Sequence, residues 1–72
     1  MNIDEIVINF LKTNFGKGFT LESLSKKIEG KFQSPEQLDY FRKYTQGLLN
    51  RLVFSFLIDM EEHNGKNYYF VG

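Results

Sequence analysis

Residues 48–71 read LLNRLVFSFLIDMEEHNGKNYYFV, and inside this stretch the spacing of apolar residues changes from a helical to an alternating period. Leu48, Leu49, Leu52, Val53 and Phe56 recur at the three- and four-residue steps that place side chains on one helix face. From there Leu57-Ile58-Asp59-Met60-Glu61, then Asn64-Gly65, then Asn67-Tyr68-Tyr69-Phe70-Val71 read as two strands joined by a tight turn. Asn-Gly is the preferred central pair of a type I′ turn because both positions need positive φ, and placing it at the tip sets the register. His63 then faces Lys66, Glu61 faces Tyr68, Met60 faces Tyr69, Asp59 faces Phe70 and Ile58 faces Val71. Alternation puts Ile58, Met60, Tyr69 and Val71 on the expected core side and Asp59, Glu61, Tyr68 and Phe70 on the other. A helix running into a β-hairpin makes the fold class α+β.

Working back from this stretch, Ser34-Pro35-Glu36-Gln37 combines an N-cap serine, a proline at the first helical position and a capping-box glutamine. A third helix starts there, with Leu38, Phe41, Thr45, Leu48, Leu49, Leu52, Val53 and Phe56 as its inward stripe. Arg42 falls inside that stripe, and Gly47 lowers helix propensity by about 1 kcal/mol. One long helix is the preferred reading; a snorkelling Arg42 or a break between Phe41 and Thr45 are the two ways to accommodate the arginine. Upstream, Asn2 and Glu5 form a capping-box pattern before Ile3, Ile6, Val7, Phe10 and Leu11, and Gly16 is the expected stop of this first helix. Ile8 lies off the stripe and is free to meet another element. Gly18-Phe19-Thr20 is long enough only for a strand fragment, Thr20 caps a second helix over about Leu21 to Glu29, and Phe19 and Leu24 occupy hydrophobic-staple positions. Gly30 is the expected end of that helix.

At 72 residues the chain holds one domain, residues 1–72, with no material for a second core. Hydrophobic residues at 42% and charged residues at 25% are ordinary globular values, so the chain folds. Eight Phe and four Tyr supply large core side chains in a protein without cysteine, where neither disulfides nor thiolate metal sites are available. A cytoplasmic location is the default for such a chain, and the N-terminus matches neither a secretory signal nor a membrane span.

Helix, short strand, helix, helix, two-stranded hairpin is the order of a winged helix-turn-helix domain, and residues 48–71 resemble the end of a winged-helix recognition helix running into its wing. The likeness rests on the Leu49/Leu52 pair, the apolar pair Leu57-Ile58, the Asn64-Gly65 tip and the Tyr-rich return strand. Phe56 stands where family members usually have glycine, and the link from Ile28 to Leu49 is longer than in compact versions. The resemblance implies a winged helix with three helices, a short strand before the second, and a two-stranded wing. It also implies binding of double-stranded DNA, with the third helix in the major groove and the hairpin beside it, in transcription regulation or another DNA transaction.

Net charge offers a test of that implication. Nine Lys and Arg cancel nine Asp and Glu, yet residues 12–53 carry eight basic residues against four acidic ones, and the flanks carry five acids against Lys66 alone. A basic middle is joined to acidic ends. The outward face of the third helix presents Tyr40, Lys43, Gly47, Asn50 and Arg51, bordered by Gln46 and Tyr44. Asn and Gln suit adenine, Arg and Lys suit guanine or phosphate, and glycine allows close approach; the same pattern equally describes a solvated helical face. On the DNA reading Tyr40, Lys43, Gln46, Asn50 and Arg51 line the groove while Lys26, Lys27 and Lys31 hold backbone.

The hairpin points elsewhere. Asp59, Glu61 and Glu62 near phosphates lower affinity, and Tyr68 and Phe70 on the outer face suit a homodimer or another protein-protein interaction, unless the first helix covers them. That is the alternative function. Catalysis has no foundation: His63 sits at a hairpin tip, adjacent Glu61 and Glu62 point to opposite faces of a strand, and no serine has a plausible base. No cofactor, metal, small-molecule substrate or membrane is expected.

Overall fold

The computed structural model describes residues 2–72. Helix α1 spans Ile3–Thr13, with the Asn2 side chain accepting the Glu5 N–H at 2.8 Å. The reciprocal half of the box is altered, since Glu5 meets the Asn2 side-chain amide at 3.4 Å. Asn14 closes the helix by donating both its backbone and side-chain N–H to the Phe10 carbonyl. Gly16 at φ 79° then turns the chain so that its N–H reaches the Val71 carbonyl at 2.8 Å, and Phe19 and Tyr69 exchange both backbone hydrogen bonds. Residues 16–19 therefore border the C-terminal strand antiparallel to it, as the short fragment expected before the second helix.

Thr20 caps α2, Leu21–Ile28, by accepting the Ser23 N–H, and the staple residues Phe19 and Leu24 are both buried. Glycine does not end α2 in the expected left-handed way. Glu29, Gly30 and Lys31 instead tighten into one 3-10 turn before Phe32 leaves in an extended conformation. Ser34 caps α3, Pro35–Phe54, through the Gln37 N–H, and the Gln37 side chain accepts from Gln33.

Two segments, 35–43 and 45–54, make up α3, because Tyr44 at φ −119°, ψ 19° leaves the helical region. The single uninterrupted helix expected from periodicity is thus corrected. Beside the kink the buried Thr45 hydroxyl donates to the Phe41 carbonyl, a back-bond of the kind that bends helices. Arg42 neither snorkels nor enters the core; its guanidinium reaches Glu29 at 2.6 Å and 2.8 Å, tying α3 to the 3-10 turn.

Strands β1, Asp59–His63, and β2, Lys66–Phe70, pair antiparallel with Met60 opposite Tyr69 and His63 opposite Lys66. Asn64 and Gly65 have φ of 53° and 80°, the type I′ requirement. With Phe19 bridged to Tyr69 on one side and β1 on the other, β2 is the central strand, and it is β2 that packs on α2. The core gathers Val7 and Leu11 of α1, Leu24 and Ile28 of α2, Phe41, Leu49 and Leu52 of α3, and Phe19, Ile58 and Tyr69.

Three residues expected in that core lie outside it, of which Leu38 is half-buried at the start of α3. Met60 is exposed, on the outer strand of the sheet. Phe56 falls beyond the helix at φ 60° and is exposed. A residue with a Cβ in this left-handed region costs roughly 1–2 kcal/mol relative to glycine.

Candidate nucleic-acid interface

Lys26, Lys27, Lys31, Tyr40, Lys43, Gln46, Asn50 and Arg51 are all exposed. Because Phe41, Thr45, Leu48, Leu49 and Leu52 take the inner face of α3, the intervening Tyr40, Lys43, Gln46, Gly47, Asn50 and Arg51 are left facing out. The Tyr40 and Tyr44 rings meet at 4.8 Å across the kink.

Three of these side chains are held by neighbours. Gln46 donates to Asn50 at 2.9 Å and to the Tyr69 hydroxyl at 3.1 Å, joining α3 to the central strand. Arg51 makes a two-pronged pair with Asp4 of α1, both contacts at 2.7 Å. That hydrogen bonding, with the charge of Asp4, raises the guanidinium pKa above its ordinary value. A cation so neutralised attracts phosphate less than the unpaired ammonium group of Lys43.

The hairpin brings residues that reading along the chain did not single out. Lys66, Asn67 and Tyr69 of β2, Gln46 of α3, and Thr20, Leu21 and Glu22 at the start of α2 line one cleft of about 170 Å³. The register of the hairpin was legible, but the docking of β2 between α2 and α3 is a tertiary contact with no local signal. Lys31 stands apart from this cleft, bordering one of about 270 Å³ with Ile6, Asn9, Phe10, Thr13 and Asn14 along α1.

Tyr68 and Phe70 are half-buried on the opposite face of the sheet, where they line a cleft of about 370 Å³ with Gly16, Gly18, Glu61 and His63. What lies against them is the loop after α1: a Cβ on Gly18 would come within 3.1 Å of the Tyr68 Cβ. His63 Nε2 is 3.7 Å from Glu61, and its ring meets Tyr68 edge-on at 5.9 Å. Among the described residues no three His, Cys, Asp or Glu side chains are grouped to hold a metal, and no helix is long and apolar enough to cross a membrane.

No protein-family model matches this sequence, and neither a curated protein nor a solved structure matches it.

Proposed function

We propose that this chain is a winged-helix protein that binds duplex DNA on the outward face of α3, with β2 of the hairpin beside it. One observation carries the reading: the hairpin turns two of its three carboxylates away from α3. Glu61 pairs with Tyr68 and Asp59 with Phe70, so alternation sends both carboxylates to the Tyr68/Phe70 side. Asn67 and Tyr69 face the other way, into the cleft shared with Gln46; Lys66, opposite His63 on the carboxylate side, borders that cleft from the hairpin end. Only Glu62, paired with Asn67, stays on the α3 side of β1. The acidic strand is therefore compatible with a phosphate backbone laid along α3.

In this reading Lys43, with Lys26 and Lys27 from the last turn of α2 and Lys66 from the hairpin, grips phosphate. Tyr40 and Asn50 meet the groove, and Gln46 is oriented by its two hydrogen bonds. Fluorescence anisotropy on random duplex DNA at rising salt tests it. Four neutralised phosphates give a slope of log affinity against log salt of about −3.6, and Lys43→Ala removes about one unit. Absence of binding at every salt concentration would sink the proposal.

A second reading, protein contact through Tyr68 and Phe70, draws on the open cleft those rings share with Gly16, Gly18 and Glu61. It requires that Tyr68→Ala and Phe70→Ala abolish capture of a partner while the fold survives.

A further inference from the structure

The end of α3, the turn after it and the start of β1 carry several exposed apolar side chains. Phe54 is 86% exposed, Phe56 93%, Leu57 51% and Met60 40%, and residues 52–58 contain no charged side chain. Phe56 is the informative one. Its φ of 60° is a conformation glycine adopts freely and phenylalanine resists, and its ring touches almost nothing in its own chain. Neither backbone geometry nor packing within the single chain gives a reason for an aromatic residue at this position.

We infer that Phe54, Phe56, Leu57 and Met60 form the contact between two copies of this chain, packed about a two-fold axis. Area supports a second copy. At about 200 Å² for a fully exposed large side chain, the four exposures amount to roughly 500 Å² of apolar surface per copy. A standard interface takes about 800 Å² from each partner, and about 65% of a homodimer face is apolar, which is again roughly 500 Å². Charge points the same way. A two-fold contact requires a patch complementary to itself, which the charge-free run 52–58 satisfies; Met60 alone stands between carboxylates, Asp59 and Glu61. The formal net charge of zero sets up no long-range repulsion between copies. The contact is independent of any DNA binding.

Sedimentation velocity on the full chain without DNA, over a concentration series, tests the inference. The wild type is expected to pass from monomer to dimer, and Phe54→Ser to weaken the dimer at least about 30-fold, as loss of a central aromatic anchor does. Phe56→Gly is the control for folding, since it relieves the left-handed backbone while deleting the ring; it should remain fully folded by circular dichroism and be monomeric at concentrations where the wild type is dimeric. A wild type that stays monomeric throughout the series overturns the inference, as does a dimer left intact by both substitutions. Failure of DNA binding in the separate anisotropy experiment would not alter either outcome.

Discussion

Arg51 and Asp4, forty-seven residues apart, face each other in a two-pronged ion pair that ties the second half of α3 to the first turn of α1. The pair occupies the cation that sequence reading places on the DNA-facing side of α3. It also brings a carboxylate to the border of that surface. Asp4→Asn is therefore expected to strengthen duplex DNA binding severalfold and to steepen the salt dependence by about one unit, because the released guanidinium becomes available to phosphate. Arg51 is exposed and Asp4 only half-buried, so the melting temperature should change little. Anisotropy titrations of the two proteins at matched salt decide the matter; equal affinities would mean that Arg51 does not lie on the binding surface.

Phe56 at φ 60° gives a second prediction, about stability. Glycine removes the clash between Cβ and the neighbouring carbonyl, while adding unfolded-chain freedom, and the first effect is the larger at a left-handed position. Phe56→Gly should raise the unfolding free energy by about 1 kcal/mol in urea titrations. The measurement belongs at protein concentrations low enough that association makes no contribution. A destabilised variant would show that the ring packs on its own chain in solution.

Local chemistry was legible along the chain wherever the interacting groups are close in sequence. The caps at Asn2, Thr20 and Ser34 accept the N–H groups their positions imply, and Asn64-Gly65 sets the hairpin register residue for residue. The helical stripe of α3 was read correctly from Phe41 to Leu52, then extended too far, because nothing in the spacing of Phe56 distinguishes an inward ring from one just past the helix end. Met60 followed the alternation of a buried strand face, but alternation does not say which strand lies at the edge of the sheet. The candidate interface was hidden in a similar way. Arg42 finds Glu29 thirteen residues away and Gln46 finds Tyr69 twenty-three away, pairings set by how helices and strand dock and by no local pattern.

Gly18 tests that docking directly. A methyl group there would sit 3.1 Å from the Tyr68 Cβ, closer than side-chain carbons normally approach, so the loop after α1 or the central strand must shift. Gly18→Ala should cost about 1 kcal/mol or more, as overpacking does. It should also broaden or move the amide resonances of residues 16–19 and 68–70 in NMR spectra. An unchanged melting curve would mean that the loop lies looser on β2 than the Phe19–Tyr69 hydrogen bonds imply.

Gly47 separates folding from function on α3 itself. It lies in the second helical segment, between Gln46 and Asn50, and a Cβ built there meets no atom within 4 Å. Replacing an exposed mid-helix glycine by alanine should therefore stabilise the protein by about 1 kcal/mol. If DNA lies on this face, however, the added methyl group stands between the backbone of α3 and the base edges, and affinity should fall even as the melting temperature rises. Opposite changes in one variant cannot come from damage to the fold. A Gly47→Ala protein that is more stable and binds duplex DNA as well as the wild type would place the contact elsewhere on α3, toward Tyr40 and Lys43.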